Sequence, residues 1–199
     1  MSMPTTRRRL LQISGGVALA AAASPALALA PPPSSIVAAA RNGLARVGSR
    51  IPNRDVVAVA DFARPSAQAR LHLVDVQNGR ITSLLVAHGR GSDPTHTGWL
   101  SRFSNAEGSN CTSEGAFLTA GEYVGAHGRS MRLEGLDPSN DNAMARAIVI
   151  HQAAYVSPQI ARASGVLGRS EGCFAVSAAD LPRVLQQLGP GRLLVSARL

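Results

Sequence analysis

The sequence predicts a mainly β, single-domain fold, a sandwich or partly closed barrel with one N-terminal and one C-terminal helix. Three observations predict it. Short runs of Val, Ile and Leu recur between clusters of Gly, Pro, Asn and Asp, the pattern of strands bounded by turns. Asn78-Gly79 lies between two such runs and marks a hairpin. Helical spacing of apolar residues shows in two segments, one near each end of the globular part.

The elements follow in order. Residues 1–30 read as an address rather than as structure. Arg7-Arg8-Arg9 precede an apolar run from Ile13 to Ala23, and small residues close it at Ala28 and Ala30. That order is a secretory signal peptide, and the paired arginines are of the twin-arginine type. Gly15, Gly16, Ser24 and Pro25 interrupt the apolar run, which disfavours a membrane span. Residues 31–55 are a linker followed by a helix. Pro31 to Pro33 form a stiff spacer, and Ser34 or Ser35 caps a helix to about Val47 with Ile36, Ala40 and Leu44 on its apolar stripe.

Residues 56–199 are the main domain. Val56–Phe62 is a first strand; Leu71–Val76 and Ile81–Ala87 form the hairpin. His88–Ser113 is rich in Gly, Ser, Asn and Asp and reads as a loop system of a functional site. Phe117, Tyr123, Met131, Leu133 and Leu136 mark short strands, and Ala147–His151 is a buried one. Cys173–Val176 is another strand. Ser177 with Asp180 makes a capping box for a helix to about Leu188, and Leu193–Ala197 is the last strand.

Composition excludes several classes. The chain has 199 residues, 45% hydrophobic and 4% aromatic, with a formal charge of +8. It is too apolar for wholesale disorder and is not collagen-like, heptad-rich or a disulfide scaffold. All 20 basic residues are Arg, so no lysine is available for Schiff-base chemistry. Without the address, 17 Arg and 12 acidic residues leave +5. The arginines are scattered, and a nucleic-acid surface needs a clustered footprint. No nucleic-acid partner is expected.

The chemistry centres on a thiol. Two cysteines in an exported chain suggest a disulfide first, but their settings differ. Cys173 ends a small-residue turn, Ser170-Glu171-Gly172-Cys173. Glycine allows a sharp bend there, and freed amides beside a thiol make an oxyanion hole. A nucleophilic thiol also needs a base. His151, at the end of the strand Ile148-Val149-Ile150, supplies one if the two strands are neighbours. Cys111 is expected as a free thiol in a loop near the site. His88, Asp93, His96 and His127 match no compact ligand spacing, so neither a metal nor another cofactor is expected.

His151 followed by Ser170-x-Gly172-Cys173 resembles the signature of the murein L,D-transpeptidase catalytic-domain family, the cysteine L,D-transpeptidases. The resemblance takes in Phe103-Ser104-Asn105, Gly121 to Asp137, Asn140 to Arg146, Ile148 to His151 and Gly168 to Val176. It implies an L,D-transpeptidase-like fold and an exported, monomeric acyltransferase of the periplasm or cell envelope. Its substrate would be peptidoglycan stem peptides, and its export partner the twin-arginine machinery. Cys173 would be the nucleophile, His151 the base, with Ser170 and Gly172 completing the catalytic turn. His127, Arg129, Arg169 and Tyr123 would contact substrate. The expected reaction is a 3→3 crosslink through a thioester. The alternatives are an L,D-carboxypeptidase, or a degenerate peptidoglycan-binding protein. The chain departs from the usual pattern at Glu171, where His is usual, and at Ala175, where Arg is usual.

Overall fold

The computed structural model describes Met1 and residues 33–199. The expected signal peptide therefore lies outside the described residues, apart from Met1. Helix α1 spans Pro33–Val47. Strands β1 (Val56–Asp61), β2 (Leu71–Asp75) and β3 (Ile81–Leu84) follow, then β4 (Gly115–Gly125), β5 (Gly128–Gly135) and β6 (Val149–Gln152). Helix α2 (Pro158–Ser164), β7 (Phe174–Val176), α3 (Leu181–Leu188) and β8 (Leu193–Ala197) complete the chain.

The strands form one eight-stranded sheet in the order β3-β2-β1-β8-β4-β5-β6-β7. The fold is mainly β, as expected. The sheet curls without becoming a closed barrel. Its two edges are joined by a short bridge beyond β3, where Ala87 N–H donates to Ala175 O of β7 at 2.8 Å. Contacts inside the curl agree. Phe62, just past β1, lies 6.2 Å from Phe174 of the far edge, and Phe117 of β4 meets Phe174 edge-on at 5.5 Å.

Each helix covers apolar strand residues. Ile36, Ala40, Leu44 and Val47 of α1 pack with Val57, Val59, Val74, Ala116 and Leu193. Leu181, Val184, Leu185 and Leu188 of α3 join the larger core with Ala58, Ala60, Leu73 and Phe117. Period-2 alternation explains the split: Val57 and Val59 face one core, while Ala58 and Ala60 face the other. The expected cap of α3 is present, with Asp180 N–H donating to Ser177 Oγ and Ser177 Oγ donating to Asp180 Oδ2 at 2.6 Å.

Two features go beyond the expected elements. Helix α2 is a third helix. Ser157 Oγ accepts from Ile160 N–H at its start, and Gly165 ends it in the left-handed region. It covers a small cluster with Ala87, Val156, Leu167 and Ala175. Strand β4 is also longer than expected and carries a register shift between Thr119 and Glu122. Such a bulge bends a strand, and the β4–β5 hairpin beyond it carries Tyr123 and His127 to the cleft described below. Phe117→Ala removes a fully buried ring that packs edge-on against Phe174, the residue after Cys173. It should lower unfolding free energy by about 3–5 kcal/mol in urea titration.

Candidate active site

Strands β6 and β7 run parallel, with His151 opposite Ala175 and Ile150 opposite Phe174. The same register puts Cys173, the residue before β7, level with Val149, two residues before His151 and on the same strand face. Cys173 and His151 both line a cleft of about 440 Å³, together with Tyr123, His127, Arg146, Ala147, Tyr155, Arg169, Ser170 and Glu171. Both cysteines are free thiols; Cys173 is half-buried and Cys111 fully buried.

The imidazole of His151 is fixed by its own strand. Its Nδ1 contacts the Gln152 carbonyl at 2.8 Å. A carbonyl can only accept, so Nδ1 carries the proton and Nε2 keeps its lone pair. His127, at the hairpin end, stacks on this ring with centroids 4.3 Å apart and planes at 25°. Burial pushes the His151 pKa down, with a smaller push from His127, against the Gln152 hydrogen bond.

Burial pushes the Cys173 thiol up. The amides of Val149 and Cys173 and the Arg146 guanidinium favour the thiolate, while Glu171 disfavours it. Imidazole down and thiol up leave a neutral resting pair. The thiol accordingly donates to Ala147 O at 3.6 Å. Ala147 holds φ +52, a left-handed conformation rare for a residue with a Cβ, so its carbonyl is turned to the sulfur at some backbone strain.

The turn before Cys173 is held by hydrogen bonds. Ser170 Oγ donates to Cys173 O at 2.7 Å and accepts from Gly172 N–H at 3.2 Å. The Gly172 amide, expected to be free for an oxyanion, is therefore engaged by Ser170. Gly172 has φ +121, and a Cβ there would stand 2.7 Å from Cys111 O and 2.8 Å from Ile148 Cδ1. No other residue fits without shifting one of them.

The arginines do less than the sequence suggests. Arg169 lines the cleft, but its guanidinium donates to the carbonyls of Asp93 and Pro94. Arg129 is not among the cleft-lining residues; its guanidinium pairs with Glu122 across the hairpin at 2.7 Å. Tyr123 lines the cleft under the Arg132 guanidinium, 4.1 Å from its ring centre. Arg146 is more central than expected. It donates to Ser104 O, Ser113 Oγ and Cys111 O and still acts electrostatically on Cys173. Tyr155, which the sequence alone did not single out, lines the cleft as well. Burial raises its phenol to about 12, so it stays a neutral donor. Its signal was faint, since an aromatic in Ala154-Tyr155-Val156 also reads as core.

The family can now be stated. The sequence pattern of the L,D-transpeptidase catalytic domain matches residues 33–196. The chain belongs to the L,D-transpeptidase catalytic-domain family. Similar solved structures are an L,D-transpeptidase from Mycobacterium smegmatis (13% identity, TM-score 0.43) and one from Mycobacterium tuberculosis H37Rv (14%, 0.46), each covering 72% of this chain and 58% of theirs. The helical cell shape determining protein Pgp2 from Campylobacter jejuni matches at 13% identity and TM-score 0.47, over 85% of this chain and 57% of its own. The L,D-transpeptidase chain thus spans less than two thirds of those structures. A search of curated proteins finds no match.

A buried charge network lies behind the Ser170–Cys173 turn of this L,D-transpeptidase catalytic domain. Arg70, fully buried, donates to His88 Nδ1 at 2.7 Å, and His88 Nε2 stands 3.4 Å from Asp93 Oδ2. Desolvation lowers His88 to about 4, with Arg70 adding to it and Asp93 opposing.

Two predictions follow from these charges. Glu171→Gln removes a carboxylate that disfavours the thiolate. Iodoacetamide should then label Cys173 faster near neutral pH, and its rate–pH midpoint should move down; a midpoint that stays put would count against this account. Separately, His88 titrates from its ordinary 6.5 to about 4 on folding. A depressed pKa gives stability that is full above about pH 6.5 and is lost as pH falls through 4, roughly 3 kcal/mol in all. Chemical denaturation across pH 4–7 measures it, and His88→Gln should flatten that slope.

Proposed function

We propose that the protein is an exported peptidoglycan L,D-transpeptidase with Cys173 as nucleophile. One observation carries the reading: Cys173 shares a cleft with an imidazole whose other nitrogen is locked by Gln152 O, leaving Nε2 to take a proton. Hydrogen bonds of this kind tighten on substrate binding, which answers the thiol's resting contact with Ala147.

In this mechanism His151 Nε2 takes the Cys173 proton as Sγ attacks the carbonyl at the L-centre of meso-diaminopimelate in a tetrapeptide stem. The Cys173 amide supports the oxyanion, since that of Gly172 holds Ser170. The tetrahedral intermediate collapses to a thioester, and D-Ala leaves with the proton from His151. A side-chain amine of a second stem attacks the thioester. Its proton passes through His151 back to the thiol, and a 3→3 crosslink forms. Arg146 stabilises negative charge on sulfur throughout. His127 and Tyr123 line the path of the donor stem. The paired arginines Arg7 and Arg8 support export by the twin-arginine route to the periplasm or envelope, and no nucleic-acid partner enters. The protein acts as a monomer.

Purified cell wall incubated with the protein, then digested and resolved by mass spectrometry, tests this. Wild type should add 3→3 dimers, and Cys173→Ala should leave the untreated profile. Tripeptides without dimers would replace transfer by hydrolysis. Equal profiles from the two proteins would sink the enzyme reading.

A further inference from the structure

We propose that Arg70, His88 and Asp93 form a buried positioning network that sets the geometry of the nucleophile turn, with His88 as the residue that links the network to it. The proposal rests on Cys173 being the reactive thiol, but not on which acyl group it accepts.

The strip Val86–Arg90 is where the network meets the turn. Arg70 Nε and Nη2 donate to Val86 O, its Nη1 donates to Arg64 O, and its Nη2 also donates to the His88 ring. A guanidinium cannot accept, so His88 Nδ1 is the acceptor and Nε2 carries the proton, aimed at Asp93. The 3.4 Å separation is longer than a good hydrogen bond. It leaves Nε2 buried with no closer partner. Asp93 is fixed by Thr97 and Gly98 amides at 2.9 and 2.8 Å.

The main chain of the same strip holds the turn. Ser170 N–H donates to His88 O at 2.9 Å, and Arg90 N–H donates to Ser170 O at 2.8 Å. Gly89 N–H donates to Thr112 Oγ1. A Cβ on Gly89 would stand 2.8 Å from Gly172 Cα, so strip and turn are in direct contact. Ser170 in turn fixes Gly172 and Cys173. The path from the His88 ring to the thiol therefore runs through one residue's main chain and one hydroxyl.

Stability alone is a poor reason for this arrangement. Burying a charged group is costly, and apolar side chains of similar volume are often as stable. What an apolar trio would lack is direction. The Arg70 fork ties the Arg64 loop to the Val86–His88 strip at defined angles, and a misplacement of about 1 Å at a reacting atom costs about 10²-fold in rate.

The test uses the full chain and reads Cys173 directly, by iodoacetamide labelling of the Cys173 peptide across pH 6–10 and by turnover on cell wall. The titratable groups that share the Cys173 cleft are Tyr123, His127, Arg146, His151, Tyr155, Arg169 and Glu171, and none of them is changed. His88→Gln can accept from Arg70 and donate toward Asp93. It should label within about threefold of wild type, as a preserved geometry requires. His88→Phe fills the space without hydrogen bonds. It should label roughly 10–100-fold more slowly, with its rate–pH midpoint raised and kcat reduced more than KM. Folded His88→Phe labelling like wild type overturns the proposal, and so does His88→Gln as slow as His88→Phe. If His88→Phe does not fold, Asp93→Asn decides: slowed labelling supports the network, and unchanged labelling overturns it. Wild type that labels readily yet makes no dimers would refute the transpeptidase reading alone.

Discussion

Everything at the site depends on one strip of backbone, Ala87 to Arg90, laid between the two edges of the sheet. It leaves β3, gives its Ala87 amide to β7, then pairs around Ser170 from both sides. An open sheet would leave both edges unpaired, a hazard that folded proteins avoid. Here the same bonds that cover the β7 edge also hold the Ser170–Cys173 turn. Fold closure and site geometry are thus one set of hydrogen bonds. A change that loosened the edges would misplace the thiol before it exposed the core.

The second constraint is electrostatic. The cleft takes a thiol and an imidazole out of water, and each shift favours the uncharged form. A preformed thiolate–imidazolium pair would need charge separation in a setting that disfavours both ions. The neutral pair is the consistent resting state. In the proposed mechanism proton transfer accompanies attack, when the developing oxyanion gives the new charge a partner. The lone pair on Nε2 is available for this because Gln152 O, one residue on, fixes the tautomer.

Much of this was legible in the residues, and the gaps have physical causes. The β content, α1, the Asn78-Gly79 hairpin and the Ser177–Asp180 cap rest on local signals, and local hydrogen bonds make them: Asp75 accepts from Asn78 N–H, and Gly79 has φ +67. The His151–Cys173 pairing needed only that two strands be neighbours. Helix α2 escaped because seven residues show no period, although Ser157, Pro158 and Gly165 mark both its ends. The directions of the arginines were not legible, because sequence gives charge but not orientation. Arg129, Arg146 and Arg169 look alike in the chain, yet one pairs with Glu122, one donates to the Cys111 carbonyl, and one holds a loop. The Arg70–His88 contact joins the start of a strand to a loop, and no spacing rule connects them.

The charge beside the nucleophile follows from these orientations. Arg146 is fixed by three acceptors, so its effect on the thiol cannot relax away. Glu171 is the opposite case. Its carboxylate is 71% exposed and pairs with Arg90, itself 57% exposed, at 3.0 Å. Such pairs are held weakly, by about 0–1 kcal/mol, and either partner can turn to an arriving group. The thiol therefore sits between a rigid cation that favours its ionisation and a mobile anion that opposes it. Whatever neutralises Glu171 shifts the balance toward the thiolate, because Arg146 then works against burial alone. At the position where the family usually has His, this chain carries a carboxylate. That exchange adds a charge opposing the thiolate of Cys173, while the geometry of the turn stays as Ser170 and Gly172 dictate.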